Sequence, residues 1–154
     1  MVAGGPWSAI HATGSQSCAL DPAGAAFCWG DNEHGQAGDG SRGGFVAAPV
    51  AVSDGHVFAS LAAGRAFNCG VTTAGAALCW GENSEGSLGN GTFVESPIPV
   101  AVAGDHSFLQ VSAADDHACG VDDEGSAWCW GENDEGHLGD GTFENRNAPV
   151  RVGG

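Results

Sequence analysis

Short apolar runs are strung along this chain between clusters of glycine, proline, asparagine and aspartate. Runs of about four to six residues with that punctuation predict β-strands. No window carries apolar residues at i, i+3, i+4 and i+7 through three turns, the periodicity of a helix packed on a core. The runs come in sets of four. Each set opens with an aromatic residue and a branched aliphatic three positions on: Trp7 and Ile10, Phe58 and Leu61, Phe108 and Val111. A run holding Cys18, Cys69 or Cys119 follows, then a turn with Gly24, Gly75 or Gly125, then Cys-Trp-Gly. The set closes on Pro-Val-x-Val, beginning at Pro49, Pro99 and Pro149.

The sets recur at a nearly fixed interval. Trp29, Trp80 and Trp130 stand 51 and 50 residues apart, each opening a glycine-rich polar stretch (CWGDNEHGQAGDGS, CWGENSEGSLGNGT, CWGENDEGHLGDGT). A period of that length marks a repeat architecture, and four strands per repeat mark a propeller blade. Solenoid rungs are usually shorter, and a sandwich has no reason to repeat such a motif three times. The expected fold is all-β, with three four-stranded antiparallel blades: an extension at 1–6, then repeats at 7–57, 58–107 and 108–154.

The hairpin inside each repeat can be derived. Cys18 and Cys28 are ten apart, as are Cys69 and Cys79, and Cys119 and Cys129. A three-residue loop ending in a left-handed glycine (Pro22-Ala23-Gly24, Thr73-Ala74-Gly75, Asp123-Glu124-Gly125) makes each cysteine pair face across the ladder. The pair falls at a site without mutual backbone hydrogen bonds, where side chains come closest and a disulfide is within reach. Six reduced thiols acting as small core side chains is the alternative. Zinc does not fit, because no C-x-x-C pair exists.

Composition adds three bounds. Glycine is abundant, at 27 residues, yet 42% of the chain is apolar, which describes a turn-rich β protein and not a disordered one. No apolar run approaches the length of a membrane-spanning helix, so no membrane insertion is expected. The net charge of −15 repels phosphate backbones, so nucleic acid is not an expected partner. Residues 1–6 show no signal peptide, while oxidised cysteines belong in an oxidising compartment. The expected location is extracellular or periplasmic, with the leader removed or omitted, or the chain excised from a longer secreted protein.

The run Trp80-Gly81-Glu82-Asn83, with Gly86, Leu88-Gly89 and Gly91, fits W-G-x-N-x-x-G-x-L-G-x-G. It resembles the repeat of the regulator of chromosome condensation family, as do the Pro-Val-x-Val and aromatic-x-x-aliphatic strands. The likeness extends over about residues 7–152. The paired cysteines resemble an exported bacterial branch of that family. The resemblance implies a β-propeller, usually of seven blades. In the eukaryotic founder it is tied to nucleotide exchange on a small GTPase and to chromatin binding. Ala37 departs from the pattern where the other copies have Leu88 and Leu138. A family-like histidine two residues before the first cysteine stands only at His117, with Gln16 and Phe67 in the other copies.

Three blades do not close a ring. Two chains closing a six-bladed homodimer is the expected solution; a longer natural array or an open filament are the others. The acidic loops (Asp31, Glu33, Glu82, Glu85, Glu132, Asp134, Glu135) raise calcium, but they lack a recognised calcium loop, and the recurrent asparagine reads as a turn cap. No metal, cofactor or catalytic residue is expected: there is no G-x-S-x-G, no H-E-x-x-H and no phosphate loop. Binding remains, through loops on a rigid scaffold. Positions that differ between the copies are the candidates for partner contact: Arg42, Phe45, Arg65, Asp115, Asp116, Glu144 and Arg146. The expected function is a non-enzymatic, secreted or cell-surface scaffold for protein–protein interaction. A pure self-assembly module is one alternative, and a fragment of a longer propeller acting as an enzyme inhibitor or exchange factor is another.

Overall fold

The computed structural model describes residues 5–153; residues 1–4 of the expected N-terminal extension lie outside the described residues. Three four-stranded antiparallel sheets follow one another along the chain. The first holds β1 (Ala9–Thr13), β2 (Gln16–Leu20), β3 (Ala26–Asp31) and β4 (Phe45–Ala51). The second holds β5 (Phe58–Ala63), β6 (Phe67–Thr72), β7 (Ala77–Gly81) and β8 (Ser96–Ala101), and the third β9 (Phe108–Ala114), β10 (His117–Asp122), β11 (Ala127–Gly131) and β12 (Arg146–Arg151). Each sheet is a simple meander in sequence order. A 3-10 turn at Ser53–Gly55 interrupts the first connection between sheets. Among the described residues no helix is long and apolar enough to cross a membrane.

The central hairpins set the register. Asp21 N–H donates to the Ala25 carbonyl and Gly24 N–H to the Asp21 carbonyl, both at 3.0 Å, which closes a three-residue turn. Leu20 then faces Ala26, and Cys18 faces Cys28. The same count brings Cys69 opposite Cys79 and Cys119 opposite Cys129. The paired Cα atoms lie 4.0–4.1 Å apart, and all three pairs are disulfide-bonded. That separation belongs to the narrow, non-hydrogen-bonded type of antiparallel pair.

The Cys-Trp-Gly run is shaped by a β-bulge, since the ladder to the last strand slips between Cys28 and Gly30 and at the same place in the other sheets. The glycine is needed twice over. Its φ is +104° to +106°, and a Cβ there would sit 2.4–2.6 Å from the carbonyl oxygen of Ser15, Ala66 or Asp116. The bulge turns the preceding tryptophan off its own sheet and toward the neighbouring blade.

The core lies between sheets. Face one of each blade carries the disulfide and its flanking aliphatics; face two carries the aromatic-x-x-aliphatic pair and the Cys-Trp-Gly tryptophan. In the first junction Phe58, Leu61 and Trp80 pack on Cys18, Leu20, Ala26 and Cys28. In the second, Phe108, Val111 and Trp130 pack on Cys69, Val71, Ala77 and Cys79. Trp80 and Trp130 are both fully buried. Trp29 and Trp128 are only half-buried. Trp128 packs against His106 with centroids 4.2 Å apart and the rings tilted by 43°, and it donates its indole N–H to Asp122 at 2.7 Å.

Candidate functional site

In a meander the first-to-second and third-to-fourth connections emerge at the same end of the sheet. All seven candidate contact residues lie on those connections or at the strand ends beside them, so the fold gathers them at one end of the three-blade arc. The glycine-rich loops rise at this end, and each is braced by a buried asparagine. Asn83 Oδ1 accepts from Leu88 N–H at 2.9 Å while its Nδ2 donates to the carbonyls of Thr92 and Val94, both at 3.0 Å. Asn133 repeats this with Leu138, Thr142 and Glu144. Asn32 accepts from Ala37 N–H at 2.9 Å. These side chains are occupied by partners within their own loops.

Three of the four arginines are tied to carboxylates within the chain. Arg42 pairs with the Glu95 carboxylate and donates to the Glu95 carbonyl at 3.0 Å, linking blade one to blade two. Arg65 pairs with Asp116, and its backbone N–H donates to the Asp115 carbonyl at 2.8 Å, linking blade two to blade three. Asp115 is exposed with a left-handed φ of +39°, whereas Asp116 is buried. Arg146 is local: its Nε donates to Asp140 at 2.9 Å, and Glu144 lies 3.5 Å from its Nη1. Hydrogen bonds from Thr142 and Arg146 hold the Asp140 carboxyl down at about 2. Of the seven candidates, only Phe45 is a large apolar side chain in solvent, 83% exposed.

Phe45 has company that repeat comparison does not single out. Phe93, Val94 and Phe143 are exposed on the equivalent loops. A groove of about 570 Å³ runs past His34, Glu82, Ser84, Phe93, Val94 and Glu95. The signal available in the sequence was a phenylalanine after Gly-Thr in two glycine-rich, largely polar loops. This end therefore combines aromatic side chains with a surrounding of carboxylates. A second opening, lined by the first strands of all three blades (His11, Ala12, Thr13, Ala62, Ala63, Ala113 among them), marks the axis around which the arc bends.

The densest titratable cluster is not contiguous in sequence. His117 and His137, twenty residues apart, stack in parallel with centroids 4.7 Å apart. Asp134 and Glu132 oxygens lie 3.7 and 4.0 Å from His137 Nε2. Burial, reinforced by the His137 ring, pushes the His117 imidazole below its ordinary value, against the opposing pull of Asp115 and Asp116. Burial, with Asp134 and Asp116 nearby, pushes Glu132 up. Glu132, Asp134 and His137 could each offer one ligand atom to a cation. Glu132 and His137 are half-buried and Asp134 is exposed, and the cluster sits at the edge of blade three's uncovered face.

That face and its counterpart on blade one have no neighbouring blade among the described residues. On blade three, Cys119, Val121 and Ala127 are half-buried, where their equivalents in blades one and two are buried. On blade one, Ile10 is 64% exposed, where Leu61 and Val111 are 5% and 9% exposed.

Comparison with known proteins places this geometry. The family model described as "Regulator of chromosome condensation (RCC1) repeat" matches residues 74–121 and 124–154, and a second model of the same description matches 58–87 and 108–136. The probable E3 ubiquitin-protein ligase HERC4 of rat and of human are each 39% identical over 75 residues, covering 47% of this chain. The chain spans 7% of those relatives' length. Among solved structures, Prp20p of Saccharomyces cerevisiae superposes with a TM-score of 0.86 at 21% identity, over 96% of this chain and 38% of that one. Its structure is described together with its binding to Gsp1p and histones. Human WBSCR16 superposes at 0.82 with 22% identity, over 95% of this chain and 39% of that one. At these identities the superpositions establish the blade fold.

Proposed function

Because this chain belongs to the regulator of chromosome condensation repeat family, we propose that it is a non-enzymatic β-propeller scaffold for protein–protein interaction, exported or displayed at the cell surface. The observation that carries this reading is the loop end of the arc, where Phe45, Phe93, Val94 and Phe143 stand exposed among carboxylates on loops stiffened from below. Aromatic anchors on a preorganised frame are what a protein partner can bury at low entropic cost. The acidic surround favours a partner with a basic rim, by steering its approach. Prp20p, described with binding to Gsp1p and histones, offers a precedent for partner binding on this fold. Three disulfides support an oxidising compartment. With every cysteine bridged, no thiol is left to act as a nucleophile. Arg42, Arg65 and Arg146 serve this site by fixing its loops, while Phe45 and Glu144 are placed to touch a partner.

The test is capture from the source culture with the chain and with a Phe93→Ser/Phe143→Ser variant. A stoichiometric foreign protein held by the first and lost by the second supports the scaffold. A second reading, in which self-assembly is itself the function, draws on the two uncovered terminal faces, and two chains closing a six-bladed ring is its simplest form. Ordered self-association with no foreign protein bound would favour it.

A further inference from the structure

We propose that the open face of blade three receives the open face of blade one from a second copy, head to tail, in the register of the two junctions inside the chain. This deepens the self-association just described and names the surfaces that make it.

The internal junctions define what the missing one needs. At each, the indole N–H of the incoming tryptophan donates to a loop carbonyl of the preceding blade. Trp80 bonds the Gln36 carbonyl and Trp130 the Ser87 carbonyl, both at 2.9 Å. By repeat position the third donor is Trp29 and the third acceptor is the carbonyl of His137. Among the described residues neither has a partner inside the chain.

Room for that tryptophan is already present. A Cβ on Gly38 would lie 2.7 Å from the Trp80 indole nitrogen, and one on Gly89 would lie 2.7 Å from Trp130. The equivalent Gly139 meets only Val152, at 3.1 Å. A second clearance repeats the pattern. Gly24 and Gly75 lie under the start of the next blade, where an added Cβ would come within 2.8 and 2.7 Å of it, and their carbonyls accept from Phe58 N–H and Phe108 N–H at 2.8 Å. A Cβ on Gly125 would meet nothing within 4 Å. A partner's Trp7, at the position of Phe58 and Phe108, would take that place.

The apolar surfaces correspond in the same way. Val121 and Ala127 beside the Cys119–Cys129 bridge offer what Val71 and Ala77 beside Cys69–Cys79 offer to Val111, and Ile10 offers the branched aliphatic. The two faces differ from each other, so a copy meets its partner with unlike surfaces. Such a match is heterologous: two copies close a ring if the rotation allows it, and otherwise they continue as a filament.

The test uses two variants that block one face each. Ile10→Arg puts a charge on blade one's face at a residue already in solvent; Ala127→Arg does so on blade three's face. Circular dichroism and intact disulfide mass confirm that each folds. The wild-type chain is expected to show at least twice the single-chain mass by light scattering, and each variant alone the single-chain mass. An equimolar mixture is expected to recover a particle of two chains, because one unblocked face of each kind remains. Trp29→Phe, which keeps the ring and loses the N–H, is expected to raise the dissociation constant several-fold. A wild-type chain at single-chain mass overturns both the docking and the self-association reading. A wild-type oligomer that both arginine variants leave intact, or a mixture that stays monomeric, overturns the head-to-tail register alone. A polymer broken by both variants supports the register and overturns the six-bladed ring.

Discussion

Trp80 and Trp29 hold the same place in consecutive blades, follow the same cysteine and precede the same bulged glycine. Yet one is fully enclosed with its N–H satisfied, and the other is half in solvent with no described partner. The disulfides repeat the contrast: Cys69–Cys79 is buried on both sides, while Cys119 is partly open. Identical local sequence therefore does not fix a residue's environment. In a repeat protein the neighbouring unit supplies half of every core, so burial is a property of junctions.

The sharpest way to break this comparison is to delete the two indoles separately. In the monomeric Ala127→Arg background, Trp80→Ala should cost about 3–5 kcal/mol, as large-to-small core changes do, and Trp29→Ala no more than about 1 kcal/mol. Urea unfolding of the two variants measures this, and equal losses would refute the junction account. Next in size come the bridges. Replacing Cys69 and Cys79 by serine, or Cys119 and Cys129, removes a loop of equal length, worth about 2.5–3 kcal/mol by chain entropy in each case. The buried pair should cost more than the open pair, since it also leaves polar hydroxyls inside a junction. The same denaturation series reads that difference.

A smaller effect follows from His117, which faces His137, Asp115 and Asp116, with Glu132 and Asp134 beyond. Its folded value is depressed, so the unfolded chain takes up the proton first. Its contribution is neutral above the unperturbed value near 6.5, becomes destabilising as pH falls through that value, and levels off below the depressed one. His117→Phe, which copies Phe67, should flatten the melting temperature between pH 7 and pH 5, and an unchanged slope would count against the assignment. Glu132, with its raised value, acts in the opposite direction, adding stability as pH falls through that value. The smallest expected effect is ionic. Each copy carries −15, so raising salt should modestly favour association by screening. Dissociation on adding salt, seen by light scattering, would point to an interface held by ion pairs.

The fold was legible because its signals are local and written three times: alternation within short runs, turn glycines at fixed offsets, and cysteines ten apart across a three-residue loop. The candidate site was only half legible. Variation between copies pointed to Arg42, Arg65 and Arg146, but it could not say that their guanidinium groups turn inward to Glu95, Asp116 and Asp140. Two of those partners lie about fifty residues away on another blade, and nothing in a linear pattern reports such a contact. The His117–His137 stack is equally invisible in a linear pattern, because a loop folds back to make it. Phe93 and Phe143 were visible as apolar residues in polar loops, yet they recur, and a search for differences passes over what recurs.

The indole clasp involves two adjacent blades and no third. Excising residues 58–107 as a unit would bring Trp130 against the Gln36 carbonyl, and inserting another such unit would add one more clasp of the same kind. Arcs of two, four or five blades should thus be reachable by whole-unit deletion or duplication, with bend and stability changing in equal steps.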